Sequence, residues 1–153
     1  ALWAEIVASV TPEKFWQGPF ESPVAAVFSD CFPSRFGNRR SYNESGYNFF
    51  HSGLDFCGSV GNDIYAPAPG RVVFVGPLTI RGNATVIDHG WGVYTAYGHQ
   101  SGFLVNEGDW VETGQLIGKV GETGRVSGPH LHWEIIVGGI QVDPILWLSE
   151  IYP

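Results

Sequence analysis

The sequence predicts an all-β protein built from antiparallel sheets with little helix, and three observations support this. Glycine and proline account for 21 and 10 of the 153 residues, and they leave little room for a long helix. The short segments between them are rich in Val, Ile, Tyr, Phe and Thr, which favour strands. Turn-forming pairs such as Gly108-Asp109 and Gly138-Gly139 separate these segments. Short strands joined by frequent turns are typical of β sandwiches and barrels.

Eight segments carry the strand pattern. We predict strands at residues 24–28, 54–57, 64–66, 70–75, 84–88, 92–97, 115–120 and 130–137. Turns are expected at residues 67–70, 81–83, 89–90, 108–109 and 138–139, where Gly, Pro, Asn and Asp concentrate. Residues 144–153 are expected to form one helical turn at the end of the domain.

The first 23 residues have a different character. Residues 2–10 fit a short helix or an extended arm, and residues 11–23 are rich in Pro, Gly and aromatic side chains. This second stretch fits either a segment that wraps the main body or a linker from an upstream domain of a longer precursor. We therefore divide the chain into an N-terminal arm or linker, 1–23, and a main domain, 24–153. The length suits one domain with a real core, and we expect a monomer.

Charge and hydropathy argue against two classes of partner. The formal net charge is −7, so direct binding to nucleic acid or anionic lipid has little electrostatic support. Apart from Arg39-Arg40, the sequence contains no run of basic residues. No apolar run approaches the roughly 20 residues that a membrane span needs. The sequence therefore predicts neither a nucleic-acid-binding protein nor a membrane-spanning segment.

The two cysteines, Cys31 and Cys57, leave two main interpretations open, and a catalytic thiol ranks behind both. They are too few for a disulfide scaffold or a four-thiolate zinc site. Buried free thiols and a single disulfide are both compatible with the sequence. Export to an oxidising compartment would favour the disulfide.

His130 and His132 flank Leu131 in the predicted strand 130–137. Side chains two residues apart in a strand point to the same face, roughly 6.7 Å apart. Leu131 and Trp133 alternate with the histidines, so one face of this strand is apolar and the other polar. Two imidazoles on one face suit metal binding or proton transfer. Two polar residues on a solvated face are the simpler explanation.

His51 and Asp55 form a second candidate pair, since imidazole and carboxylate are both zinc ligands. In a straight strand they would lie roughly 13 Å apart, slightly beyond what two side chains could bridge through one ion. Gly53 lies between them and is the kind of residue at which strands bend or bulge. We therefore predict that the chain bends near Gly53. A straight backbone there would contradict a shared metal.

Two further histidines complete the set: His99 follows a predicted strand, and His89 lies in a turn and is assigned a structural role. A catalytic zinc commonly has three protein ligands and one position open to water. His51, Asp55 and one member of the histidine pair would fill the three positions, which leaves the other member and His99 unligated. Zinc lowers the pKa of a coordinated water towards roughly 7, and a nearby imidazole can move its proton. These residues predict an amide hydrolase with one zinc ion per chain.

Three motifs resemble the signature motifs of the LytM/lysostaphin-type zinc endopeptidases. They are HSGLD at residues 51–55, YGH at residues 97–99 and GPHLHWE at residues 128–134. Segments 34–39, 64–72 and 108–115 are also similar to this family, and the likeness covers about residues 24–148. Gln100 departs from the family pattern because it replaces a more usual apolar residue.

The resemblance implies a fold, a site and a substrate. It implies an antiparallel β fold with a narrow groove, with zinc held by His51, Asp55 and His132. It also implies that His99 and His130 act on the water and the oxyanion. The implied substrate is peptidoglycan, cut in its peptide cross-bridge or stem. We therefore expect an extracellular, periplasmic or cell-envelope location.

Two alternatives belong to other functional classes. The same fold could serve as a non-cleaving module that binds cell-wall peptides or activates an amidase. Family members of that type have lost ligands, whereas every motif residue is present here. The segment 108–118 also resembles a hairpin of biotinyl- or lipoyl-type carriers, which need an exposed lysine at the hairpin tip. Lys119 is the nearest lysine, and we expect it near a strand end instead.

Overall fold

Strands are the main regular element of the structure, a computed structural model that describes residues 2–25, 39–41, 48–50, 53–78, 80–122 and 130–148. Two short helices lie in this part of the chain, α1 (Leu2–Ile6) and α2 (Pro144–Trp147). The strands are β1 (Arg39–Ser41), β2 (Asn48–Phe50), β3 (Leu54–Cys57), β4 (Asp63–Tyr65), β5 (Gly70–Leu78), β6 (Gly82–Asp88), β7 (Val93–Gly98), β8 (Gln100–Phe103), β9 (Trp110–Val111), β10 (Leu116–Val120), β11 (His130–Val137) and β12 (Ile140–Val142). The prediction of an all-β fold with little helix is confirmed.

The strands form three antiparallel sheets in the described residues. The long sheet has the order β12-β11-β7-β6-β5-β9, and β3 also pairs with β11. A second sheet has the order β4-β10-β8, and β1 pairs with β2. One edge of β11 pairs with β7, while its other edge pairs first with β3 and then with β12. β11 is therefore paired along both of its edges, and β3 and β7 lie on either side of its first half.

One face of the long sheet packs on the three-stranded sheet and forms the main core. β11 contributes Leu131, Trp133 and Ile135, which are fully buried. Their partners include Ile64 of β4 and Ile117 of β10. Because side chains alternate along a strand, the residues between them face the opposite side. That alternation assigns His130 and His132 to the other face of β11.

The opposite face of the long sheet is partly covered by the start of the chain. A second buried cluster joins Val86, Tyr94 and Ile136 to Val7, with Trp3 of α1 partly buried against it. A five-residue helix is too short to be stable alone in water, so this packing stabilises α1. Among the described helices, none has the length and apolar character needed to cross a membrane.

Residues after α1 run along the body in extended form. The Trp91 N–H donates to the Thr11 carbonyl at 2.8 Å, and the Phe15 N–H donates to the His89 carbonyl at 3.0 Å. A Cβ on Gly90 would lie 1.8 Å from the Glu13 carbonyl oxygen, so only glycine permits this approach. The segment thus packs closely on the sheet. The division of the chain into arm and domain at residue 24 stays a prediction.

Several predicted elements have the expected bounds, and others do not. The strands predicted at 54–57 and 130–137 match β3 and β11. The helices α1 and α2 lie within residues 2–10 and 144–153, where the sequence allows or predicts helical structure. β1, β2, β8, β9 and β12 were not predicted. The strand predicted at 24–28 is absent at residues 24 and 25, and residues 26–28 lie outside the described part. β5 extends beyond residue 75 through Pro77 to Leu78. β9 pairs with β5 only at Gly70 and Arg71, so this edge of β5 has no β9 partner at Pro77. A proline, which lacks an N–H, is tolerated at such an edge.

Cys57 closes β3 and is disulfide-bonded. The chain has one other cysteine, Cys31, which lies outside the described residues. Of the two interpretations that the sequence left open, the free thiol is therefore wrong for Cys57. A disulfide at this position restrains the end of the strand that carries Asp55.

Candidate active site

The pairing of β3 with β11 brings Asp55 and His132 together. They are directly opposite in the antiparallel register, and directly opposite residues share a face of the sheet. The Nδ1 atom of His132 lies 2.8 Å from Oδ1 of Asp55, and both residues are buried. Two groups that lie 77 positions apart in sequence thus form one hydrogen-bonded pair.

Gly53 precedes β3 at a bend in the chain. A Cβ at this position would lie 2.4 Å from the Trp133 carbonyl oxygen and 2.8 Å from Cγ of Glu134. Glycine is therefore required because β11 passes directly over it. The bend falls where the sequence predicts one. His51, which lies beyond it, is outside the described residues, so its participation stays a prediction.

His130 and His99 lie beside the Asp55–His132 pair. Nε2 of His130 is 3.5 Å from Oδ2 of Asp55. The His99 ring centroid lies 5.0 Å from that of His130 and 5.8 Å from that of His132. Gly98 of β7 is paired with His132 of β11. His99 follows Gly98 and therefore lies next to His132. Four of the five predicted site residues are described, and the fold places these four together.

His99 has a strained backbone, with φ of 60°. A non-glycine residue in the left-handed region costs roughly 1–3 kcal/mol and persists only where surrounding structure holds it. Part of that hold is the His99 N–H, which donates to the Arg81 carbonyl at 2.7 Å. This conformation ends β7 and turns the ring towards the other histidines.

Glu134 and Arg81 complete the site and were not predicted as site residues. Oε2 of Glu134 lies 3.1 Å from Nε2 of His132, and the carboxylate is fully buried. Arg81 binds both carboxylate oxygens: Nη2 donates to Oε1 at 2.9 Å, and Nε donates to Oε2. The alternation 130, 132, 134 could have placed Glu134 on the polar face of β11. No sequence signal marked Arg81, which precedes β6 in a turn.

The ion pairs set the charge state of His132 in the metal-free protein. Burial is the largest single influence and opposes protonation, but hydrogen bonds with Asp55 and Glu134 outweigh it and raise the pKa of His132 to about 9. Burial likewise opposes ionisation of Glu134, yet its bonds to His132 and Arg81 lower its pKa to about 2. At neutral pH, both ring nitrogens of His132 therefore carry protons that point at carboxylates.

This donor set fits a metal ion. The proton on Nδ1 lies between an imidazole nitrogen and a carboxylate oxygen, which are both zinc ligands. The other ring nitrogen faces Glu134, and metal-binding histidines usually donate that second N–H to a carboxylate or carbonyl. Within the described residues no three His, Cys, Asp or Glu side chains form a metal-binding group. The predicted third ligand, His51, lies outside them.

His89 lies apart from this group and has neutral partners. Its Nδ1 is 2.8 Å from the Pro69 carbonyl oxygen, and its Nε2 is 2.7 Å from Oγ1 of Thr95. Burial is the largest influence and lowers the pKa of His89 to about 4, so the ring is neutral. This full burial and neutral hydrogen bonding agree with the structural role assigned from the sequence.

Two solved structures have the same fold. A zinc-containing peptidase from Vibrio cholerae is similar with a TM-score of 0.78 and 34% identity, over 84% of this chain and 40% of that chain. The catalytic domain of the antimicrobial peptidase lysostaphin from Staphylococcus simulans has a TM-score of 0.68 and 28% identity, over 76% of this chain and 90% of that chain. The fold is therefore that of the lysostaphin-type peptidases.

Residues 49–144 match Peptidase family M23, and the chain belongs to this family. The resemblance to LytM/lysostaphin-type endopeptidases is thus confirmed. The chain is 45% identical to the peptidoglycan DD-endopeptidase ShyA of Vibrio cholerae over 61% of its length, and this match covers 22% of ShyA. It is 36% identical to the murein hydrolase activator NlpD of Escherichia coli over 92% of its length, covering 33% of NlpD. The chain thus spans a third or less of these curated relatives.

Proposed function

We propose that this chain is the catalytic unit of a zinc endopeptidase that hydrolyses peptide bonds in the cross-bridge or stem peptide of bacterial peptidoglycan. The observation that carries the proposal is the gathering of Asp55, His132, His130 and His99 on one face of the sheet. The closest distances are 2.8 Å from Asp55 to His132 and 3.5 Å from Asp55 to His130. Asp55 lies on β3, His130 and His132 lie on β11, and His99 lies between β7 and β8. A core-building requirement alone would not place four polar groups together.

The residues divide into two roles. His51, Asp55 and His132 would hold one zinc ion. A bound zinc ion supplies Lewis acidity, which polarises the scissile carbonyl and acidifies a coordinated water. Asp55 and Glu134, on either side of His132, hold its ring so that Nδ1 faces Asp55. Arg81 balances the charge of the buried Glu134 carboxylate and holds it in place. Glu134 can therefore remain the partner of Nε2 of His132.

His99 and His130 remain as imidazoles outside the ligand set. Their ring centroids are 5.0 Å apart, and both side chains border the Asp55–His132 pair. One imidazole can accept the proton of the attacking water and pass it to the leaving amine. The other can donate a hydrogen bond to the oxyanion of the tetrahedral intermediate. The left-handed backbone of His99 ends β7 where its ring lies beside those of His130 and His132.

The relatives support the substrate class. One relative is a peptidoglycan DD-endopeptidase, and its likeness to this chain supports a peptide cross-link of peptidoglycan as the substrate. Peptidoglycan hydrolysis would take place outside the cytoplasm, in the periplasm, at the cell envelope or beyond it. The disulfide at Cys57 supports this location, because disulfides persist in oxidising compartments.

A second candidate function is activation of another murein hydrolase without cleavage. The likeness to NlpD favours it, because that match extends over 92% of the chain. An activator would need no acid/base histidines beside a metal. The four described site residues are all present and close together, which favours the enzyme.

The two functions are separated by incubating the zinc-loaded protein with purified peptidoglycans of several cross-bridge types and analysing the products by mass spectrometry. The enzyme should release fragments in which one peptide bond has gained one water, and His130→Ala should release them about 10²- to 10⁴-fold more slowly. Stoichiometric zinc without any cleavage, together with stimulation of an added amidase, would establish the activator instead.

A further inference from the structure

Trp3 of α1 stacks on the guanidinium group of Arg81. The Cζ atom of Arg81 lies 3.6 Å from the centroid of the Trp3 ring, which is within the range of a cation–π contact. Trp3 is half-buried and packs against the cluster that contains Ile136 of β11. The aromatic ring therefore closes one face of the guanidinium group and is itself fixed to the sheet.

Arg81 is joined to both sides of the candidate active site. Its guanidinium group binds both oxygens of Glu134, whose Oε2 lies 3.1 Å from Nε2 of His132. Its backbone carbonyl accepts the N–H of His99 at 2.7 Å. A continuous series of contacts thus runs from Trp3 through Arg81 and Glu134 to His132, with a branch to His99.

The geometry of these contacts restrains orientation more than it supplies binding energy. A guanidinium fork that engages both carboxylate oxygens fixes the plane of the carboxylate, which a single point charge would not do. That carboxylate then fixes the ring of His132, so that Nδ1 faces Asp55. Carboxylates behind a metal-binding histidine commonly orient it, and their loss typically weakens metal binding 10- to 100-fold. Trp3 covers one face of the guanidinium group and so restrains its plane, while the N–H edge of that group meets Glu134.

We propose that Trp3, Arg81 and Glu134 form a brace through which the N-terminal helix positions His132 for metal binding. These are positioning residues, because the described contacts connect them to the site through His132 and the His99 backbone. The proposal rests on the proposed function in one respect, namely that His132 is a zinc ligand. Its structural part, the orientation of the His132 ring by α1, holds for the metal-free protein as well.

The test compares matched tryptophan and arginine variants. Trp3→Leu removes the ring but keeps an apolar side chain, and Arg81→Met removes the fork. Trp110→Leu and Arg71→Met are the controls, because Arg71 stacks on Trp110 at 5.5 Å and its Nη1 donates to the Gly108 carbonyl at 2.8 Å. Thermal unfolding of each variant verifies that the fold is kept, and Arg81→Lys tests whether charge without the fork restores function.

Two readouts are measured on the same proteins. The first is the Kd for Zn²⁺, from competition with a chromogenic chelator at fixed pH. We expect it to rise about 10- to 100-fold in Arg81→Met, severalfold in Trp3→Leu, and not at all in the two controls. Arg81→Lys should recover only part of the loss. The second is the orientation of the His132 ring in the metal-free protein, from nuclear Overhauser contacts of its ring protons.

The outcomes distinguish the brace from the proposed function. Changed His132 ring contacts in Trp3→Leu and Arg81→Met, but not in the controls, support the brace. If the two variants show these changes but the wild type binds no zinc, the brace is supported and the proposed zinc site is wrong. Unchanged ring contacts in folded Arg81→Met overturn the brace. A zinc Kd within twofold of the wild type in that variant, with changed ring contacts, overturns the claim that the brace serves metal binding.

Discussion

The two faces of the long sheet bury histidines in opposite charge states. On the core side, His89 has a carbonyl and a hydroxyl as partners, and burial lowers its pKa to about 4. On the site side, burial also opposes the charge on His132, but two carboxylates outweigh it and raise its pKa to about 9. Both rings are buried. The partners of a buried histidine, and not burial alone, therefore decide whether it carries charge.

β11 also has two different faces, one apolar and one polar. Leu131, Trp133 and Ile135 alternate with His130, His132 and Glu134 and belong to the main core. The core residues gain from leaving water, whereas the polar residues are tolerated because each has an ionic or hydrogen-bonding partner. One face should therefore control stability and the other catalysis. The four predictions below test that division, from the largest effect to the smallest.

The largest effects are expected from the histidines of the site face. His130→Ala should lower cleavage about 10²- to 10⁴-fold, because it removes an acid/base group, while zinc stays bound. His132→Ala should abolish cleavage by lowering the zinc content. Kinetics on peptidoglycan and metal analysis of both variants check this. If His130→Ala loses the metal and His132→Ala keeps it, the two roles are reversed.

Truncating the core face of β11 should affect stability by nearly as much. Trp133 is fully buried, so Trp133→Ala should lower the free energy of unfolding by about 3–5 kcal/mol. Trp110, which is 38% exposed, provides the control, and Trp110→Ala should cost about 1 kcal/mol or less. Urea unfolding measures both. Equal costs would show that the core face does not dominate stability.

A smaller effect is expected at Gly53, where the two strands of the site approach closely. A Cβ would lie 2.4 Å from the Trp133 carbonyl oxygen, so Gly53→Ala should cost about 1–3 kcal/mol through overpacking. Gly102 has no atom within 4 Å of such a Cβ, and Gly102→Ala should leave stability nearly unchanged. Urea unfolding of the two variants makes the comparison. A Gly53→Ala variant as stable as Gly102→Ala would contradict the tight approach.

The elements with a strong local pattern were predictable from the sequence. β3 and β11 have the predicted bounds because their apolar residues alternate or run together between clear breaks. β8 was missed because it is short and has no β-branched residue, and its strand form depends on pairing with β10, which is distant in sequence. β12 was missed because three residues are too few to show an alternation, although it pairs with the end of β11 across the predicted turn at residues 138–139.

Sequence motifs predicted four of the residues that the fold brings together, but not the contacts that join them to Arg81 and Glu134. Motifs singled out Asp55, His99, His130 and His132, and their closeness follows from strand pairing. Arg81 was missed because its contact with Glu134 joins residues 53 positions apart. The left-handed φ of His99 also has no sequence signal, since non-glycine residues disfavour it. Such features depend on the assembled sheet, and the ligand assignments themselves stay predictions.

The smallest effect concerns the neutral histidine of the core side and its response to acid. The pKa of His89 falls from 6.5 in its ordinary state to about 4 in the fold because of burial. Between these values the unfolded chain binds more protons than the folded one, so the free energy of unfolding must fall as pH falls. Protonation of His89 alone should remove about 2 kcal/mol between pH 7 and pH 5.

His89→Gln tests this, because glutamine can also donate one hydrogen bond and accept another but does not titrate in this range. Urea unfolding of both proteins is measured at pH 7, 6 and 5 with chelator present, so that metal release does not contribute. The contribution of His132 is the same in both proteins and cancels in their difference. The wild type should lose about 2 kcal/mol more than His89→Gln over this range. Parallel pH profiles would mean that His89 is not held neutral by the core, and the contrast between the two faces would then lose its basis.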